Sequence, residues 1–302
     1  MPNKSDPVWR SVLDRILVAW QHPLPHHLIS HLMYRFTRLQ YAPLKNRFID
    51  WFVARFNVDM RQAVEENPHA YPTFNAFFTR ALKPEMRPIA GGANDIACPV
   101  DGTISQIGKI VENRLFQAKG RYFSLEALLG GSRDLANNFR NGQFATIYLS
   151  PRNYHRIHMP LPGNLKQMIH VPGRLFSVNP LTTRTVRSLF ARNERVVCLF
   201  ETPAGSMAMI LVGAICVASI ETVWAGAVTP YRPRGRLREW NYTDKPVYLE
   251  RGDEMGRFNM GSTVIVLFGP ESSRWETALR EDSAVKTGQL IGTVTSPSGA
   301  GD

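Results

Sequence analysis

Cysteine is scarce. Cys98, Cys198 and Cys216 are all that 302 residues hold, with no CxxC pair and an odd number to pair. That excludes a disulfide scaffold, gives no cysteine metal site and favours a reducing compartment. Cys198 and Cys216 lie in apolar, strand-like runs, where a thiol behaves as a small hydrophobe. Long apolar runs are lacking too. The longest, MAMILVGAICVASI (207–220), is too short to cross a bilayer and is broken by Gly213. The N-terminal MPNKSDPVWR has no apolar core followed by a small-residue cleavage site, so no signal peptide is read there. A membrane, if it matters, is therefore expected to be met at its surface. The chain also has no HExxH, no GxSxG elbow, no clear repeat, and no low-complexity segment apart from the tail SPSGAGD. Acidic residues are in deficit, 25 Asp and Glu against 36 Lys and Arg, for a formal charge of +11. Such a surface attracts anionic lipid or nucleic acid. The strand-rich part lacks the aromatic and basic interleaving of an RNA-binding sheet, so nucleic acid is not expected as a partner.

What is present is an ordinary globular composition, 44% apolar and 20% charged, on a chain long enough for a full core. Residues 1–80 read as helical. Trp9, Val12, Leu13, Ile16, Leu17 and Trp20 recur at helical spacing until Pro23 and Pro25. A second stretch runs through Leu32, Met33, Phe36 and Leu39, and a third is FIDWFVARF (48–56). Arg35, Arg38, Lys45 and Arg47 accompany them, a pairing of aromatic, aliphatic and basic side chains that suits a membrane interface. At least two of these four cations are expected to face the same way as exposed Leu, Phe or Trp. The alternative is that the apolar faces pack on the protein's own core.

Residues 81–302 read as a β-rich catalytic domain. Strands are expected at Thr103–Ile107, Ala145–Leu149, Arg195–Thr202, Ala208–Ile220 with a bend at Gly213, Ser262–Phe268 and Gln289–Val294, separated by turn signals such as Asp101-Gly102 and Gly269-Pro270. The fold class is α+β: N-terminal amphipathic helices, then a mostly antiparallel β core, barrel-like or sandwich. VKTGQLIG (285–292) and PVDGTISQIG resemble pieces of biotinyl- and lipoyl-carrier sheet domains, but no exposed hairpin Lys accompanies them.

Three stretches can carry chemistry. CPVDGTISQIG puts Asp101 at a tight turn, YLSPRNYHRIHMP brings His155 and His158, and MGST puts Ser262 in front of the apolar run Val264–Phe268. Asp, His and Ser together are the parts of an activated nucleophile. Each has a plainer reading: Asp-Gly and Gly-Ser are common turns, and His-x-x-His without HExxH or Cys gives no metal site. By spacing alone, a serine hydrolase with an Asp-His-Ser triad and a membrane-surface binding protein both stay open.

Several ordered blocks narrow this. FNAFFTRALKPEMRPI, CPVDGTISQIG, YLSPRNYHRIHMP, GRLFSVNP, NERVVCLFET, VGAICVASIETVW and EMGRFNMGSTVIVLF, spread over about residues 70–295, together resemble bacterial phosphatidylserine decarboxylases. The family's serine motif is most often LGST; here it is MGST, a volume-conserving change. The resemblance implies self-cleavage between Gly261 and Ser262, into a β chain (1–261) and an α chain (262–302). Asp101 would orient His158, and His158 would deprotonate Ser262. Ser262 would become a covalent pyruvoyl group that forms a Schiff base with phosphatidylserine and releases CO2 to leave phosphatidylethanolamine. His155 would return a proton to the substrate, and Ser177 would support the site by hydrogen bonding. The resemblance also implies a zymogen of phospholipid biosynthesis: a homodimer of cleaved protomers, peripheral on the cytoplasmic face of the cell membrane.

Overall fold

The computed structural model describes residues 18–118, 120–215, 219–230 and 235–295. The expected first helix, Trp9–Trp20, lies mostly outside the described residues, as does Cys216. The second and third helical stretches are found as His26–Phe36 and Ala42–Phe56. The latter starts on Pro43, whose fixed φ suits a first helical turn, and stops at Asn57 in the left-handed conformation. A short helix, Phe74–Phe78, is capped by the Thr73 side chain accepting from the Ala76 N–H. Ile49, Phe52, Phe74, Phe77 and Phe78 interlock into an aromatic core of their own, against which Met260 packs.

The rest is an open, mostly antiparallel β system. The nine-stranded main sheet runs Arg238–Asn241, Gly163–Val171, Arg195–Thr202, Gly205–Val212, Thr263–Phe268, Gln143–Tyr148, Gly102–Lys109, Ala284–Val285, with Val247–Leu249 also pairing on Gly163–Val171. Its outer strands do not meet, so the core is sandwich-like and not a closed barrel. A four-stranded sheet, Gly226–Ala227, Ile220–Thr222, Glu254–Phe258, Arg156–His158, leads into the Met260-Gly261-Ser262 segment from the other side. The strand Thr263–Phe268 is central. It pairs along its whole length with Gly205–Val212 and with Gln143–Tyr148, and all six of its residues are fully buried. Burial on both faces is why its sequence is apolar without alternation.

The expected single strand Ala208–Ile220 is two. The chain leaves the sheet after Val212, because the Gly213 N–H donates to Glu194 O and Gly213 O accepts from Asn193 Nδ2. Ser262 lies just outside its strand, which begins at Thr263.

Among the four cations of the helical layer, Arg35 and Arg47 are exposed. Arg35 falls at i+7 and i+3 from the exposed Leu28 and Leu32, and Arg47 at i+3 and i−4 from the exposed Leu44 and Trp51, so each shares a helix face with them. The other two are engaged. Arg38 stacks on Tyr34 and pairs with Glu221 at 3.6 Å. Lys45 is buried, its Nζ donating to the carbonyls of His69 and Tyr71. No described helix is long and apolar enough to cross a membrane.

Candidate active site

Ser262 is fully buried, and its Oγ has no hydrogen-bond partner. Its carbonyl accepts from Leu149 N at 2.8 Å, which fixes the residue at the mouth of the central strand. The residue before it, Gly261, has no side chain where His155 Nε2 approaches: a Cβ there would lie 3.5 Å from that nitrogen and 3.4 Å from Leu149 O. The segment before Ser262 is anchored upstream as well. Phe258 N donates to His155 O at 3.0 Å, and Asn259 is held through its backbone by Ser219 O. The Asn259 side chain accepts from Asn75 Nδ2 at 2.9 Å and donates to Glu221 Oε1 at 2.7 Å and to Ser219 Oγ. Only Met260 and Gly261 lie between these clamps and the serine.

His155 is fully buried, its ring 4.1 Å from that of Phe78. Its Nδ1 faces the carbonyl of Asn153 at 2.8 Å, which can only accept, so the proton sits on Nδ1 and Nε2 is a bare lone pair. Burial first, then the nearby Arg80 charge, pushes its pKa down to about 3, and the imidazole is neutral in the working range. Two unsatisfied buried polar atoms, Ser262 Oγ and His155 Nε2, thus flank the Gly261–Ser262 peptide.

His158 is placed differently. Three residues separate it from His155, an odd step that sends the two side chains of an extended chain to opposite faces. Its Nδ1–H donates to Gly252 O at 2.7 Å, and its Nε2 accepts from Tyr154 OH at 3.1 Å, with the two rings stacked. Burial lowers its pKa, while the hydrogen bond to Gly252 O, the Glu254 charge and, least of all, the Asp101 charge work in the opposite direction. Asp101 itself is buried and gives both carboxylate oxygens to Arg87; Oδ1 also accepts from Thr287 N at 3.0 Å. No hydrogen bond joins Asp101 to His158 or either to Ser262, so the expected relay is not assembled in this structure; the His158 N–H donates to Pro99 O, two residues before Asp101. Ser177 lines the same cavity as Gly261, and its Oγ accepts from Asn179 N at 3.4 Å.

That cavity measures about 420 Å³. Met33, Phe48, Trp51, Phe52 and Phe56 from the helical layer form one wall, and Leu149, Met260 and Gly261 another. It is apolar and reaches from the face carrying Trp51 to Gly261. Among the described residues no group of three or more His, Cys, Asp or Glu side chains could hold a metal ion.

A family model described as phosphatidylserine decarboxylase matches residues 74–293, most of the chain, including Asp101, His155, His158, Ser177, Gly261 and Ser262. The chain belongs to the phosphatidylserine decarboxylase family. A second model, described as PSD, matches residues 16–57, the helical layer. Among relatives, a phosphatidylserine decarboxylase proenzyme of Bordetella avium (strain 197N) is 58% identical over 281 residues, covering 93% of this chain and 95% of that protein. Those of Bordetella pertussis (strain Tohama I) and Pseudomonas putida (strain GB-1) are 55% and 54% identical, each covering 92% of this chain and 94% and 97% of their own lengths. This family membership carries the helical layer and the β core together.

Sequence reasoning missed three residues that shape the site. Asn259 clamps the segment before Gly261, Tyr154 occupies His158 Nε2, and Arg80 places a charge beside His155. All three sit inside quoted motifs, but nothing in a motif reveals a partner.

Proposed function

We propose that this protein is a phosphatidylserine decarboxylase that makes its own pyruvoyl group by cutting itself between Gly261 and Ser262. The observation that carries the reading is the buried, unpartnered Ser262 Oγ behind a side-chain-free glycine, beside a bare imidazole nitrogen and at the end of an apolar cavity. A buried hydroxyl without a partner is a cost to folding, and here the hydroxyl is the reactant.

For cleavage, His158 is the base. Its Nδ1–H is held by Gly252, which leaves Nε2 as acceptor, and the Asp101 charge favours its protonated form once it has taken the proton. Reaching Ser262 requires His158 to give up its Tyr154 contact. The Ser262 Oγ then bonds to the Gly261 carbonyl carbon, the Gly261–Ser262 C–N bond breaks, and the proton passes to the new amine. Loss of the Ser262 Cα proton and cleavage of its Cβ–O bond leave a Gly261 carboxylate and a dehydroalanine. Water converts the dehydroalanine to a ketone and releases ammonia. Two chains from one precursor result, the second beginning at residue 262.

The site fits the pyruvoyl group: residue 262 is anchored by the central strand, its Cβ-free neighbour leaves room, and no other side chain has claimed its oxygen. When formed, that group supplies an electron sink for the loss of CO2. The chain's own residues do the rest. His155 Nε2, neutral on arrival of substrate, takes a proton from the substrate's ammonium group and returns one to the carbon that has lost CO2. The apolar cavity accepts acyl chain and keeps water from that carbon. The cations Arg35 and Arg47, beside exposed Leu28, Leu32, Leu44 and Trp51, support docking of the helical layer on the anionic cytoplasmic face of the cell membrane.

The deciding experiment is the intact mass of purified protein under denaturing conditions. Two chains split at Gly261–Ser262 are expected, the 262–302 piece one ammonia lighter than the matching serine peptide and reactive toward ketone reagents. CO2 release from phosphatidylserine then follows. One intact chain from protein that is active would sink the proposal.

A further inference from the structure

Arg80 is a buried cation with idle donors. It is 5% exposed, and its Nε and Nη1 make no hydrogen bond. No carboxylate among the described residues forms an ion pair with it. The acid in its field, Asp101, is committed to Arg87 and to Thr287 N. Its remaining neighbours are Tyr71, Tyr154, the cation Arg87, the neutral His155 and the ring of Phe77, 5.6 Å below the guanidinium. Burial lowers its pKa, yet an arginine begins so high that it keeps its charge. A buried cation with idle donors is costly unless some state of the protein brings it an anion.

The reaction creates one. Self-cleavage turns the Gly261 carbonyl into a carboxylate inside the protein. Gly261 lies against His155 Nε2, the His155 ring packs at a tilt against Phe78, and Arg80 follows Phe78 by two residues. Asn259, two residues before the new terminus, is bonded to Asn75 of that same short helix. After the cut, Met260 and Gly261 form a loose end tethered at Asn259, with a reach of about 7 Å. A substrate anion has a poorer route, because Arg80 is not on the wall of the apolar cavity.

We propose that Arg80 is the binding site for the carboxylate that cleavage creates at Gly261. The ligand class is an α-carboxylate, taken by the guanidinium in a charge-assisted pair. The pair draws the terminus of the β chain away from residue 262, which clears the space in front of the new ketone for substrate and stabilises the cut form over the uncut one. Arg80 is a positioning residue here, acting through the cleaved terminus. The inference rests on the self-cleavage proposed above.

The test is Arg80→Met in two backgrounds, the uncleavable Ser262→Ala chain and the self-cleaved protein, each followed by thermal unfolding. In the uncleavable chain the substitution removes an unpaired buried charge, so Tm stays level or rises. In the cleaved protein it removes the carboxylate's partner, so Tm falls by several degrees. A shift of the same sign and size in both backgrounds overturns the proposal, since that is what a general packing role gives. If instead the sign does not reverse and the KM for phosphatidylserine rises, the anion is the substrate's and the proposal is also overturned. Should Arg80→Met not mature, the structure of the cleaved wild-type protein decides, with the Gly261 carboxylate either on the guanidinium or elsewhere. If the wild-type chain is not cut at Gly261–Ser262 at all, it is the proposed function that fails.

Discussion

Lowering the pH from 7 to 5 should destabilise the uncleaved chain through one side chain, His155. In the unfolded chain its imidazole takes a proton below about pH 6.5, whereas in the fold burial and the Arg80 charge hold it neutral down to about pH 3. Between those values the unfolded state binds a proton that the folded state refuses. His155 therefore contributes stability that is fully present above pH 6.5 and is lost as pH falls toward 3. The slope is about 1.4 kcal/mol per pH unit, so at pH 5 the loss is about 2 kcal/mol, close to thirtyfold in the unfolding equilibrium. The assay is urea unfolding of Ser262→Ala protein at pH 7 and pH 5, beside the same protein carrying His155→Gln. Every other titrating group, including His26 and His158, whose pKa values are also lowered, is present in both and cancels in the comparison. The His155 protein should lose about 2 kcal/mol more than the Gln protein. Equal losses, within about 0.5 kcal/mol, would refute both the burial of a neutral imidazole and its role as a ready proton acceptor at working pH.

The catalytic assignments separate cleanly: His158→Ala should leave a single chain on denaturing gels, while His155→Ala should mature but release CO2 at least about 100-fold more slowly. Gly261→Ala puts the new Cβ 3.4 Å from Leu149 O and 3.5 Å from His155 Nε2, ordinary van der Waals contact, so maturation should persist in a time course, whereas the two further methyl groups of Gly261→Val should stop it. Leu267→Ala empties a fully buried position on the central strand and should cost about 2–5 kcal/mol, read as release of the α chain at lower urea during size-exclusion chromatography. Trp51→Glu with Leu32→Glu, both at exposed positions, should leave Tm within a degree or two but abolish cosedimentation with anionic vesicles. Unchanged sedimentation would place the membrane contact elsewhere.

Some of this was legible in the residues because their patterning had a single cause. Residues 196–200 and 264–268 are buried on both faces, and their unbroken apolar runs say so. Gly163–Val171, the longest strand, went unread: Asn164 and Lys166 face out while a bulge between Leu165 and Gln167 breaks the alternation. The short helices Leu125–Leu128, Arg133–Asn137 and Pro180–Thr185 were also unread, since each is a single capped turn whose signal is a Ser or Asn that serves turns equally well. At the site, the residue types were visible and their partners were not. Asp101 looked free to orient a histidine, but Arg87 reaches it from fourteen residues upstream. Arg80, in FFTRALK, carries no mark of burial in the sequence, and only the packing of Tyr71, Phe77 and His155 around it shows it.

The central position of the Thr263–Phe268 strand has a consequence for the lifetime of the catalyst. The proposed cut falls one residue ahead of the ladder, so none of the pairing with its two neighbours is lost, and the piece bearing the ketone is locked between strands contributed by the other chain. Nothing can be swapped out without opening the sheet. A protomer is thus issued its reactive group once, at maturation. Reduction of that ketone, or capture by a stray amine, retires the whole protomer, and activity returns only with a newly synthesised chain.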